Sequence, residues 1–297
     1  MSIFPWASSK RRRGGHSPVC LTGTQVESAR EAGGFSFGAL VDGNHHQLTV
    51  VLAGEAEASW QQCSAWESRV GLCDQVVATC GVNVGVFSAR PIMSVTFRAA
   101  TKRQREDVSE LVTYVAQVYP EMYGAAAAVD LELVPLQAEE IYQWAGVWWP
   151  SQHEEDDPVW PPRCATVDNQ IGNIQFDSLA CVSYECNLDH PDVVEELSAT
   201  LAELDVADVV RCARSYRPAM DENTTESQSG RRGGMLTVMG PSVQHAEGLA
   251  TALLDQLSPQ VRLKVRRLWA RQEMAVVASA GVGVLGWQHT DSQVRAA

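Results

Sequence analysis

"MLTVMGPSVQHAEGLATALLDQLSPQVRLKVRRLWA", Met235 to Ala270, decides how the chain is read. "MLTVMG" is a short, apolar, glycine-bounded run and predicts a strand. "PSVQHAEGLATALLDQL" follows with Pro241 at its first turn, a start signal for a helix. In "QVRLKVRRLWA", Val261, Leu263 and Val265 alternate with Arg262, Lys264 and Arg266. That period of two predicts a final strand with one buried and one wet face.

Upstream the pattern extends. "VADVVRCARSYRP" (Val206 to Pro218) reads as a strand, and the polar "AMDENTTESQSGRRGG" as a loop. In "HPDVVEELSATLAEL", Val193, Val194, Leu197, Leu201 and Leu204 recur at helical spacing, with Asp189 as a candidate cap. A strand over Leu179 to Cys186 precedes it. The second half thus reads strand, helix, strand, strand, helix, strand.

The first half gives the same order. "HHQLTVVLAG" (His45 to Gly54) is a strand and "EAEASWQQCSAWESRVGLCDQVVATC" a helix. Two strands, Val82 to Ser88 and Ile92 to Arg98, come next. A helix over Thr101 to Gly124 is ended with the help of Pro120, and Val129, Leu131 and Leu133 form a closing strand. The expected fold class is α+β: two duplicated β-α-β-β-α-β, ferredoxin-like lobes with antiparallel sheets. The expected divisions are an irregular basic arm over 1–34, a first lobe over 35–146, a linker rich in Trp, Pro and acid over 147–172, a second lobe over 173–287, and a tail over 288–297.

The chain has 297 residues and a formal net charge of -13. Affinity for duplex nucleic acid comes mainly from neutralising phosphates, so so acidic a chain is not a nucleic-acid binder along its whole length. Eight cysteines without any C-x-x-C, and no apolar leader in "MSIFPWASSKRRRGGHS", predict free thiols in a reducing cytoplasm. No stretch reaches the length of a membrane-spanning helix; "MAVVASAGVGVLGW" (Met274 to Trp287) is too short and too rich in glycine.

Chemical motifs are few. "GVGVLG" (Gly281 to Gly286) spells G-x-G-x-x-G, but no helix follows it, so it reads as apolar packing. His45 and His46 read as turn or strand-edge residues. His153 beside "EEDD" reads as a solvated run. "RGGMLTVM" (Arg232 to Met239) sits where an RNA-recognition strand would carry stacking aromatics, and it has none. No catalytic residue, metal ligand or cofactor is expected. The interface candidates are Arg11, Arg12 and Arg13 of the arm with Arg262, Lys264 and Arg266 of the last strand.

The C-terminal third resembles a group of actinobacterial secretion proteins. The likeness rests on Leu263, Val265, Arg266, Gln272, Ala275 and the glycines after Ala280, with "HQLTVVLAGEAE" and a tryptophan-bearing helix at the front. The group comprises the EccE-like proteins of type VII secretion and relatives encoded beside VirB4-like ATPases in conjugation. The resemblance implies a non-enzymatic accessory component acting by protein contacts. Its partners would be subunits of that apparatus, an FtsK- or VirB4-like ATPase among them. The implied location is cytoplasmic, with room for peripheral contact at the inner membrane face through the basic arm. The alternative is a nucleic-acid-binding protein of a mobile element or phage that uses the arm and the last strand.

Overall fold

A computed structural model describes residues 16–30, 36–55, 58–84, 91–149, 160–164, 166–176, 179–203, 209–217 and 231–287. The elements, in chain order, are β1 (Thr24–Arg30), β2 (Ser36–Asp42), β3 (Gln47–Gly54), α1 (Trp60–Val70), β4 (Val76–Val84), β5 (Ile92–Arg98), α2 (Lys102–Glu106), α3 (Val108–Ala127), β6 (Leu133–Pro135) and α4 (Ala138–Trp148). The second half holds β7 (Val167–Asn169), β8 (Ile174–Phe176), β9 (Ala180–Asn187), α5 (Pro191–Ala202), β10 (Val209–Arg217), β11 (Arg231–Gly240), α6 (Val243–Gln256), α7 (Pro259–Arg262), β12 (Val265–Arg267) and α8 (Gln272–Ala278). A short 3-10 turn, Val19–Leu21, precedes β1.

The expected pair of ferredoxin-like lobes is corrected. All twelve strands among the described residues belong to one antiparallel sheet, ordered β1-β2-β3-β5-β4-β10-β11-β9-β8-β7. β6 shares the outer edge of β3 with β2, and β12 shares the outer edge of β9 with β8. The two halves meet where β4 pairs with β10, from Thr79 opposite Tyr216 to Val84 opposite Arg211. An edge that would be exposed in a separate lobe is thereby closed, which removes unpaired N–H and C=O groups from the middle of the molecule. Each such ladder bond contributes about 1 kcal/mol net.

Alternation along the central strands sorts the core into layers. Register partners Val82 and Ala213 belong to a cluster with Trp144, Trp148, Trp149 and Ala275–Ala278, so α4 and α8 cover that face. On the other face α1 and α3 pack over β3 and β5 around Trp66, Phe97 and Tyr119. Beside them α5 and α6 pack over β9, β10 and β11 around Leu197, Leu236 and Leu253. The segment after α8 runs back across the first face. Gly281 lies against Val82 and Ile92, and Gly283 against Thr49 and Thr96, with its N–H bonded to Ser94 Oγ at 3.0 Å. Gly283 has φ of 81°, a conformation that glycine adopts without cost.

Several boundaries differ from expectation for identifiable reasons. The arm over 1–34 is not wholly irregular, because Thr24–Arg30 forms β1 against β2. α1 begins in a Ser59/Gln62 capping box and stops at Gly71, so Cys73 lies beyond it and Val77 is in β4. Pro120 lies inside α3 rather than near its end. The division at 146/147 falls within α4, and Trp148 and Trp149 of the expected linker are fully buried. Asp189 does not cap α5; its side chain accepts the Arg232 backbone N–H. The last predicted strand breaks in two. Ser258 caps a single helical turn, α7, with Pro259 at its start, and only Val265–Arg267 pairs with β9.

Candidate functional site

β10 carries three arginines, of which Arg211 and Arg214, three residues apart, leave opposite faces of the sheet. Arg214 is matched. Its Nη2 donates to Glu67 Oε1 of α1 at 3.0 Å, its Nη1 to the Trp60 carbonyl at 3.3 Å, and its guanidinium lies 4.3 Å from the centre of the Trp60 ring. Burial pushes the Glu67 carboxyl up, against the pull of Arg214. Opposite Arg214 stands Gly81; a Cβ there would approach Arg214 Nη2 to 2.7 Å. Glycine is therefore what admits the ion pair to the ladder.

Arg211 is not matched. It is 1% exposed, and Nε, Nη1 and Nη2 all lack a hydrogen-bond partner. Burial lowers its pKa to about 10, partly offset by Cys181. At neutral pH it therefore remains a cation, and an uncompensated buried ion costs several kcal/mol on the order of magnitude seen in proteins. Its cross-strand neighbour on β11 is Thr237, whose hydroxyl bonds that of Ser183 on β9 at 2.9 Å. A hydroxyl pair uses one of its two protons internally, leaving the other to donate. On β4 its register partner Val84 is the last residue of that strand, so Arg211 lies at the end of the seam and not at its middle.

The surrounding face is apolar. Ala213, Met235 and Met239, which flank Arg211 and Thr237 along their strands, join the cluster that contains Ala275–Ala278 of α8. α8 is positioned by Gln272, which accepts the Ser183 backbone N–H at 2.8 Å and so fills the gap between β8 and β12 on the edge of β9. Its next residue, Glu273, accepts the Val19 N–H at 2.7 Å and contacts His16 Nε2 at 3.2 Å.

The predicted interface residues do not come together. Arg11, Arg12 and Arg13 lie outside the described residues, as does His153. Arg262 ends α7 and pairs with Asp255 at 2.9 Å. Lys264 pairs with Asp192 at 2.6 Å. Arg266 is in β12, opposite Glu185. Leu263, expected to face inward, is 78% exposed because it follows a helical turn. His45 binds Asp42 at 2.7 Å in the turn before β3, and His46 has positive φ there. Among the described residues no group of three or more His, Cys, Asp or Glu is placed to hold a metal ion. Nor is any helix among them long and apolar enough to cross a membrane.

Arg211 and Arg214 were overlooked in the sequence. The available signal was three cations in "VVRCARSYR", Arg211, Arg214 and Arg217, the first two an odd number of residues apart. A strand that carries charge to both sides of a covered sheet must find or bring a counter-charge on each.

No family model matches the chain, and no curated protein matches it. Solved structures do. One is 6-hydroxy-D-nicotine oxidase from Arthrobacter nicotinovorans, at 12% identity over 78% of this chain and 47% of its own, with a TM-score of 0.31. Another is CrmK, a flavoenzyme involved in shunt product recycling in caerulomycin biosynthesis, at 8% identity over 78% and 54%, with a TM-score of 0.32. The chain spans about half the length of these structures. Likenesses this slight carry no argument about its activity.

Neither is a secretion or conjugation protein. Family models and curated proteins give the secretion reading no support either. The expectation of a non-enzymatic component of a type VII-like secretion or conjugation apparatus is therefore corrected. Its alternative, nucleic-acid binding through the basic arm and the last strand, loses the strand's part, because that strand is not formed as expected and two of its cations are paired with aspartates, while the arm lies outside the described residues.

Proposed function

We propose that the protein binds a small anionic ligand, bearing a carboxylate or an oxyanion of the phosphate or sulfate type, at Arg211. One observation carries this reading: a fully buried guanidinium with all three nitrogens unpartnered. A guanidinium fork matches a planar carboxylate or two oxygens of a tetrahedral anion, and charge-assisted bonds of this kind are about twice as strong as neutral ones. The Thr237–Ser183 hydroxyl pair beside it adds one neutral donor.

Titration calorimetry with sulfate and with acetate tests it, on the native protein and on Arg211→Met. Native protein takes up one equivalent of at least one of the two anions, and Arg211→Met takes up none. Sulfate also stabilises proteins generally by exclusion from their surfaces. A thermal shift therefore counts only as the difference between native and Arg211→Met. Equal heats and equal shifts for the two proteins would overturn the assignment.

A further inference from the structure

α8 lies, with α4, across the face onto which Arg211 and Thr237 project, and its first turn is tied to the N-terminal segment. Glu273 Oε1 accepts the Val19 N–H, and Oε2 meets His16 Nε2. His16 is itself fixed. Its N–H bonds the Cys164 carbonyl at 2.8 Å, the Cys164 N–H returns to its carbonyl at 3.0 Å, and its ring stacks on Trp149, 6.2 Å between centroids and 25° between planes. The far end of the segment rests on glycines against β3, β4 and β5. The middle carries no polar side chain: Ala275, Val276, Val277 and Ala278 share one apolar cluster with Cys181, Met235 and Met239.

We infer that α8 is a cover over the anion site, and that the His16–Glu273 contact is its latch, closed when His16 is protonated and loosened when it is neutral. This rests on the reading of Arg211 as an anion site. The groups facing the latch are Glu273 from α8, Cys20 from the 3-10 turn and Cys164, whose backbone pairs with that of His16; Asp42 acts on Cys20 from β2. Cys20 is pushed up to about 12 by burial first and by Glu273 second, so it stays a neutral thiol across the working range. His16 is the group that changes charge there, and its hydrogen bond to Glu273 holds its pKa above the ordinary value.

The sign follows from that direction. A histidine with a raised folded pKa contributes stability that is complete below its unfolded value and is lost as pH rises through the folded value. The latch is therefore tight in mild acid and slack in mild alkali. His16 is 41% exposed at its side chain, so the effect is small.

Hydrogen exchange and sulfate binding, each at pH 5.5 and pH 8.5, test the inference on native protein, His16→Gln and Arg211→Met. Sulfate keeps its charge across this range. Protection factors of the Ala275–Ala278 amides in native protein are expected to fall by about threefold from the lower pH to the higher, the size of a part-exposed ion pair. In His16→Gln they are expected to be the same at both. Sulfate association is expected to be faster at pH 8.5 than at pH 5.5 in native protein and independent of pH in His16→Gln. Native protection factors that do not change with pH overturn the latch, whatever sulfate does. Protection that changes with pH in a protein that binds neither sulfate nor acetate leaves the latch standing and overturns the anion site instead.

Discussion

Gly81 and Arg214 face each other across the seam between the halves, and each is the sixth residue of a nine-residue strand. The pairing of β4 with β10 is thus centred on two equivalent positions, one without a side chain and one with the longest cation. Glu67 reaches the same point from α1. An ion pair sits where the two halves would otherwise be related by symmetry.

Loss of one partner of that pair should be costly. Glu67→Met or Arg214→Met leaves an uncompensated buried cation or carboxyl, and each is expected to destabilise by about 3 to 5 kcal/mol. The double variant Glu67→Met with Arg214→Met should recover most of that loss. Urea unfolding of the four proteins measures both effects, and simple additivity of the single losses would contradict the pairing.

Gly81→Ala places a methyl against Arg214 Nη2 and Glu67 Oε1. Overpacking of this kind costs about 1 to 3 kcal/mol. The loss should shrink when Arg214 is methionine, which unfolding midpoints of the single and double variants would reveal.

Gly283→Ala combines a positive φ with close approach to the Thr49 and Thr96 hydroxyls. It should lift the C-terminal segment from the sheet and cost more than Gly248→Ala. Gly248 is in α6 with nothing near its missing Cβ, and alanine there should stabilise by up to about 1 kcal/mol. Thermal unfolding of the two variants gives opposite signs if the placement of Gly283 is right.

Arg211→Met, without added anion, is expected to be more stable than the native protein by about 1 to 4 kcal/mol, as when other buried charges are replaced by apolar residues of similar size. A loss of stability in chloride buffer would mean that the guanidinium already has its counter-charge.

Thiol reactivity should follow burial. Cys181 and Cys212 are pushed up to about 12 by desolvation, and of the eight cysteines Cys73 alone is not fully buried. Under native conditions a disulfide-exchange reagent should modify Cys73 first, and the others only on unfolding. Fast native labelling at Cys20 or Cys212 would show that those layers open.

The helices were legible because their information is local. α3, α5 and α6 each show an apolar stripe at helical spacing, and α5 has its proline at the start. The single sheet was not, because nothing within β4 or β10 says which strand will lie beside it; partner choice is made by the layers above and below. Val261, Leu263 and Val265 misled because an accidental alternation overlay a stronger local signal, Ser258 before Pro259 at a helix start. The candidate site was illegible for a related reason. Arg211 means something only once Ala213, Met235 and Met239 are known to close around it.

The seam has a consequence beyond stability. Two strands that pair about a local two-fold can pair in the same register with the corresponding strands of a second molecule. Each chain would then donate one half to the other, and every contact at Glu67, Gly81 and Arg214 would be remade between molecules. Exchange of this type makes dimers at little enthalpic cost. It should surface as a concentration-dependent, slowly dissolving dimer when the protein is refolded from denaturant at high concentration.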